Sequence, residues 1–264
     1  MSSRADLPIL ELSGVAFGYE RDTHFISRLS LSILNGQFIG LLGANGSGKS
    51  TILKLASGLL KPSAGQVTLW GKSLHHYREK DRAKLISYLP QFLDMHIPFT
   101  VRELVSMGLY PYDILPDMTA EEAMELVGLK GKSDVPLAQL SGGERRRAFI
   151  AMTLLQGSGL VLLDEPLVNL DIKFQLEIYR LLRELQKQKN ISILMALHDM
   201  NFAMQFETVM LIKQGSILGA GTPEEVLTKD TIRDAFDVDV TVRKQDSGEM
   251  IISYTRDTGE RLQD

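Results

Sequence analysis

The stretch Gly43-Ala44-Asn45-Gly46-Ser47-Gly48-Lys49-Ser50-Thr51 decides how the rest of the chain is read. It has the form G-x-x-x-x-G-K-[ST], and each residue type in it answers a separate physical demand. Gly43, Gly46 and Gly48 allow backbone turns that a side chain forbids, so successive N–H groups face one concavity suited to an anion. A helix is predicted to begin at about Gly48, which directs its dipole and its free N–H groups at the same anion. Lys49 is then placed to reach the β- and γ-phosphates of a nucleotide, and the Ser50 hydroxyl to ligate Mg²⁺. The flanks agree. Phe38-Ile39-Gly40-Leu41-Leu42 reads as a buried strand, and Ile52, Leu53, Leu55 and Ala56 give the following helix an apolar face. A Gly-rich turn without chemistry is the alternative, and a strand before it and a helix after it speak against that.

Outward from this loop, size and composition set bounds. The chain has 264 residues, enough for one large domain or a core with a helical insert, and 44% of them are apolar. A formal net charge of −4 gives no reason to expect nucleic acid as the main partner. There is no cysteine, which excludes disulfides, thiolate metal sites and cysteine nucleophiles. No apolar run approaches the roughly 18 residues that span a bilayer, and residues 1–6 lack the apolar core of a secretory signal. A soluble chain is expected, reaching any membrane through a partner.

On the N-terminal side, the runs Ile9–Leu12, Val15–Phe17 and Leu29–Ile33 read as antiparallel strands. Tyr19 ends the second run, where an aromatic is either plain packing or a face for a nucleotide base. On the C-terminal side, Ile86–Pro90 reads as a core strand ending at Gln91, which is either a solvated loop residue or a contact to Mg²⁺ or the attacking water. Residues 92–139 change in character, rich in Met, Leu, Pro and Tyr, with helical patterns at Val101–Gly108 and Thr119–Gly128. In the first, Val101, Leu104, Val105 and Gly108 share a face; in the second, Ala123, Met124, Leu126 and Val127. A small inserted helical subdomain is expected, spanning about 92–157, with a C-terminal extension at about 222–264 of a single domain.

Ser141-Gly142-Gly143-Glu144 opens the next helix as a capping box, which on its own is a well-capped helix and alternatively a second anion site. Arg145-Arg146-Arg147 after it reads as a solvated helix face. Leu160-Val161-Leu162-Leu163-Asp164-Glu165 is a parallel-type core strand ending in two carboxylates, which belong at the ligand crevice of an α/β sheet. There Asp164 can hold Mg²⁺ and Glu165 can polarise a water. Asp171 caps a long helix, Ile172 to Lys189. Ile191–Leu197 is a further core strand ending in His198, a structural His or a donor to a γ-phosphate. Two short helices begin at Thr222 and about Thr228, and residues 238–254 read as an edge hairpin.

Taken together and in this order, these residues resemble the ATP-binding cassette ATPases over about residues 9 to 242. Tyr19 matches the adenine-stacking aromatic, Gly43–Thr51 Walker A, Gln91 the Q-loop, Leu140–Glu144 the signature, Leu160–Glu165 Walker B with its catalytic glutamate, Asp171 the D-loop and His198 the switch histidine. The resemblance implies an α/β P-loop fold with a mainly parallel sheet, an antiparallel β subdomain and an inserted helical subdomain. It implies ATP and Mg²⁺ as cofactors, Mg²⁺ being held by Ser50, Gln91 and Asp164. It also implies a head-to-tail pairing of two copies, each ATP lying between Walker A of one and the signature of the other.

Thr100–Pro111 and Gly221–Leu227 further resemble importers of ferric siderophores, haem and cobalamin. That implies membrane permease subunits, a solute-binding protein reached through them, and a peripheral place on the cytoplasmic face of the inner membrane. An exporter subunit and a soluble cassette protein acting on ribosomes or DNA are the alternatives; the latter usually carries two cassettes or long coiled-coil inserts, and this chain has neither. Three positions depart from the family pattern: Glu144 where Gln is common, Leu167-Val168-Asn169 where small polar residues are frequent, and Met152-Thr153 where Arg-Ala is frequent.

Overall fold

The computed structural model describes residues 7–20, 25–92, 98–245 and 250–254. The readings above for residues 1–6, 93–97 and 255–264 lie outside the described residues. The alternating runs at the start form β1 (Leu10–Phe17) and β2 (Ile26–Ile33), paired antiparallel. Ile9–Leu12 and Val15–Phe17, read from sequence as separate runs, belong to one continuous stretch. Gly14 takes φ +58 and the register shifts there, so a bulge lets both halves keep their apolar side chains inward. β3 (Phe38–Gly43) leads through the glycine loop into α1 (Lys49–Ser57). β4 (Ala64–Leu69) and β5 (Lys72–Ser73) complete an antiparallel sheet of order β2-β1-β4-β5.

After α2 (Glu79–Ala83) and β6 (Ile86–Leu89) come three helices, α3 (Val101–Ser106), α4 (Ala120–Leu126) and α5 (Gly142–Leu155). Then follow β7 (Leu160–Leu163), α6 (Ile172–Lys189), β8 (Ser192–Leu197) and α7 (Met200–Ala203). The chain continues through β9 (Thr208–Lys213), β10 (Ser216–Gly221), α8 (Pro223–Val226) and α9 (Lys229–Phe236). β11 (Val240–Lys244) and β12 (Met250–Tyr254) close it. The second sheet has the order β10-β9-β3-β8-β7-β6 and is parallel except for the β9–β10 hairpin. The final hairpin, expected at a sheet edge, is instead a separate two-stranded sheet. Asn201 on α7 holds it through a reciprocal pair of bonds: its Nδ2 donates to Ile252 O (3.1 Å) and its Oδ1 accepts from Ile252 N (3.0 Å).

The parallel strands are apolar on both faces because both faces are covered. Along β8, Ile193, Met195 and Leu197 join the core shared with α3–α6, while Leu194 and Ala196 join the core shared with α1 and the antiparallel sheet. β7 alternates in the same way, Val161 and Leu163 against Leu160 and Leu162. Burying such a Leu or Ile fully contributes about 1.5–3 kcal/mol. Parallel pairing puts the C-terminal ends of β3, β6, β7 and β8 along one edge, and it is there that Gly43, Gln91, Asp164 and His198 leave the sheet.

α5 is buried on nearly every side and packs against α3 and α4. Ala123, Met124 and Val127 face this core as expected, but Leu126 does not and stands 41% exposed, one helical step off the buried stripe. Thr153 is buried and bonds its own helix at Phe149 O (2.9 Å), and Met152 packs on the core. Gly108 allows the turn after α3 to press on α5, since a Cβ there would lie 2.4 Å from Met152 O. Gly108→Ala is therefore expected to destabilise the protein by about 1–3 kcal/mol, read as a lower urea midpoint at unchanged slope. An unchanged midpoint would mean that α5 yields without cost.

Candidate functional site

The glycine loop is built as expected, with one change of reason. Gly46 (φ +77) and Gly48 (φ +109) occupy the left-handed region. Gly43 does not; its need is space, since a Cβ there would meet Ile212 O at 2.5 Å and Ser47 Oγ at 2.6 Å. Gly48 is the N-cap of α1, so the helix starts at Lys49. The cleft above it, of about 360 Å³, is lined by Phe25, Asn45 to Thr51, Gln91, Phe92 and Glu165. Ala44 borders the other side of the loop, towards Lys213 and Asp234. Tyr19 is 61% exposed at the rim. Its hydroxyl is within 2.9 Å of Thr51 Oγ1, and its ring meets Phe17 edge-on at 5.0 Å. A flat aromatic surface held in this way beside the loop can stack on a base.

Across the cleft stand the two carboxylates. Glu165 Oε2 accepts from Gln91 Nε2 at 2.8 Å, and its Oε1 lies 3.6 Å from Lys49 Nζ. Lys49 Nζ also donates to Gly43 O (2.7 Å) and Ala44 O (3.2 Å). Burial lowers its pKa, while the charges of Glu165 and Asp164 oppose that shift. Asp164 is 1% exposed. Burial lifts its carboxyl above the ordinary range and the charge of Glu165 adds to this, against the pull of Ser50, Tyr88 and Lys49. Tyr88 OH donates to Asp164 Oδ2 at 3.3 Å, whereas Asp164 Oδ1 is buried without a hydrogen-bond partner. A buried hard oxygen donor beside a Ser hydroxyl suits Mg²⁺, which takes few protein ligands and completes its shell with phosphate and water oxygens. Ser47 Oγ, likewise buried and unpartnered, points to the same polar demand inside the loop.

Ser141, Gly142, Gly143 and Glu144 do not line this cleft. They form the N-terminus of α5, where Ser141 Oγ accepts from Glu144 N (3.2 Å) and Glu144 Oε2 from Ser141 N (2.9 Å). The extra charge of Glu144 is paired inside the chain: bonding first to Lys132 and then to Ser141 N–H holds its carboxyl down at about 2. His198 is exposed and shares a small cavity, about 50 Å³, with Glu165, Gln175 and Phe202. Asp171 caps α6 by accepting from Phe174 N at 3.0 Å. Between Glu165 and Asp171 lies the unusual Leu167-Val168-Asn169 segment, with Leu167 buried and Asn169 at φ +64.

The arginines after the signature turn overturn the expectation of a solvated face. Arg146 and Arg147 are 5% and 6% exposed. Arg147 Nη1 donates to Val127 O (2.9 Å) and Gly128 O (3.0 Å), and its guanidinium lies over the Phe174 ring. Arg146 reaches the edge of the cleft itself, bonding carbonyls at Pro90, Gln91, Asp164, Glu165 and Pro166. Burial pushes its pKa down to about 10 against the charges of Asp164 and Glu165, so it remains a cation at neutral pH. The signal for burial was in the sequence. The unbroken apolar run Ala148-Phe149-Ile150-Ala151 leaves that turn of α5 without a solvent side, and Arg146 and Arg147 lie one turn before Ile150 and Ala151.

In sequence and fold the chain is similar to transporter components. The family model for ABC transporters matches residues 26–168. The iron(3+)-hydroxamate import ATP-binding protein FhuC of Bacillus subtilis is 39% identical over 240 residues, 88% of each chain. The ferric enterobactin transport ATP-binding protein FepC of Escherichia coli is 35% identical over 226 residues, 83% of each chain. Among solved structures, the dimeric post-hydrolysis cassette MJ0796 with ADP and Pi superposes with a TM-score of 0.72 at 25% identity, covering 81% of this chain and 98% of that one. A solved ABC transporter in an inward-facing conformation shares the fold, with a TM-score of 0.76 at 22% identity over 94% of this chain and 96% of that one. On this sequence and structural similarity, the chain belongs to the ABC transporter family as one of its ATP-binding proteins.

Proposed function

We propose that the chain is the ATP-hydrolysing subunit of an importer that moves a metal chelate, such as a ferric siderophore or haem, or cobalamin through a membrane permease. The observation that carries the hydrolytic reading is the contact set Gln91–Glu165–Lys49 over the glycine loop. The import reading rests on the names of FhuC and FepC, and the solute class on those names together with the Thr100–Pro111 stretch. In this reading adenine stacks on Tyr19, and the loop N–H groups and Lys49 hold the phosphates. Ser50 and Asp164, with Gln91 at the edge, hold Mg²⁺, which when bound neutralises phosphate charge.

Glu165 orients a water in line with the γ-phosphate, and Gln91 restrains that carboxylate from the side. Catalysis then consists of positioning and electrostatics. Because Ser141–Gly143 lie off the cleft, a second copy supplies them to the γ-phosphate. Hydrolysis removes the charge that bridges the copies, and the pair opens. Residues of about 92–157 are the inserted helical subdomain, of which the segment around 91–98 and the helices up to Tyr112 carry the motion to the permease; about 222–264 is a C-terminal extension, and the solute-binding protein acts through the permease. The chain sits peripherally on the cytoplasmic face of the inner membrane.

The test is purification of the chain from detergent-solubilised membranes with identification of what accompanies it. A stoichiometric polytopic membrane protein is expected; only ribosomal or DNA-associated companions would remove the transport reading. Within the site, His198→Ala is expected to lower hydrolysis in the assembled complex by at least tenfold, measured as phosphate release. Normal hydrolysis there would leave His198 a structural residue.

A further inference from the structure

One side chain of α5 joins two separate segments at the edge of the cleft. Arg146 Nε donates to Pro166 O (3.1 Å), Nη1 to Pro90 O and Gln91 O (both 3.0 Å), and Nη2 to Asp164 O (2.8 Å) and Glu165 O (2.7 Å). These use the whole donor set of a guanidinium, five N–H groups in a rigid planar fork. The acceptors are the residues that leave β6 and β7. Glu165 sits at φ +48, a backbone region that L residues seldom occupy unless the surroundings hold them there. Its carbonyl is held by Arg146 and by Val168 N (3.3 Å). The other end of the lever is α5: Arg146 lies in its second turn, five residues after Ser141, in a helix whose N-terminus is locked by the capping box.

We propose that Arg146 is a positioning residue that ties the Ser141–Gly143 turn to Glu165 and Gln91 of the same chain. When a second copy's nucleotide engages that turn, the hydrolytic carboxylate in this chain is set in register. The inference rests on the reading of Glu165 and of the paired copies given above. Its physical content is stiffness. A tilt of α5 moves a fork with five fixed directions, so Pro90–Gln91 and Asp164–Pro166 must follow or lose several bonds together. Lysine at 146 keeps the charge but offers three donors without a plane, and glutamine offers two.

The test compares the full-length chain with Arg146→Lys, Arg146→Gln and, as a control, Arg147→Lys, another buried arginine of α5 that bonds carbonyls away from the cleft. Hydrolysis is followed against ATP concentration, nucleotide affinity by a fluorescent ATP analogue, and folding by thermal melting. For Arg146→Lys the expected result is a kcat at least tenfold lower, analogue affinity within twofold, and a Hill coefficient falling towards one. Arg147→Lys is expected to melt earlier with kcat and Hill coefficient retained. A folded Arg146→Lys protein with the kcat and Hill coefficient of the parent overturns the proposal.

A measurement free of Arg146 variants uses amide exchange in Glu165→Gln at saturating ATP while protein concentration is raised. Protection at the amides of 91–92 and 164–165, which flank Pro90 and Pro166, is expected to rise together with that at 141–145; a rise at 141–145 alone overturns the coupling. A parent chain that binds ATP and pairs but does not hydrolyse it overturns the hydrolytic reading first, and this inference with it.

Discussion

Lys49→Ala is expected to abolish ATP hydrolysis, with a loss of about 10³-fold, and to weaken nucleotide binding by about 2–3 kcal/mol. The ammonium sits 5% exposed between the loop carbonyls of Gly43 and Ala44 and the Glu165 carboxylate. Asp164 and Glu165 both act on this spot, and Lys49 is a cation lining the cleft that offsets them, with Arg146 behind their backbone. Removing it leaves two carboxylates opposite the position of the γ-phosphate, so the variant loses an attraction and gains a repulsion in one step. Phosphate release and nucleotide titration check the two effects separately. Hydrolysis within tenfold of the parent would mean that the loop N–H groups alone stabilise the transferring phosphate.

Glu165→Gln separates binding from chemistry. Glutamine keeps the shape and can still accept from Gln91 through its Oε1, so the cleft retains its form. What disappears is the negative oxygen to which the proposed mechanism assigns the orienting and polarising of water. Turnover is expected to fall about 10²-fold or more, with ATP binding kept. Normal turnover in this variant would move the polarising role to another group.

Most of the site could be read from the sequence because it depends on local rules. A glycine loop between an apolar strand and an amphipathic helix, carboxylates ending an unbroken apolar strand and a Ser-x-x-Glu cap each declare themselves within about ten residues. The parallel sheet followed from strands apolar at every position, which only a sheet covered on both faces can use.

What local rules do not report is where a carbonyl 20 or 56 residues away will lie. For Arg146 the apolar run that follows signals burial, but nothing local signals that its partners are Pro166 and Pro90 at those separations. Leu126 was misplaced for a smaller reason: in the seven-residue α4 one apolar residue beside a stripe carries little weight against three on it. The final hairpin paired with itself because Val240–Lys244 and Met250–Tyr254 meet each other in full register, and Asn201 fixes them to α7 rather than to a sheet edge.

The central claim is that one chain carries the two halves of an ATP site and that only a second copy brings complementary halves together. Light scattering on size-separated Glu165→Gln protein tests it most directly, with ATP and Mg²⁺, with ADP and Mg²⁺, and without nucleotide. The account predicts a dimer's mass with ATP and a monomer's mass otherwise, and loss of the dimer when Ser141→Arg is added. A monomer under saturating ATP, or a dimer indifferent to both nucleotide and Ser141, would contradict it.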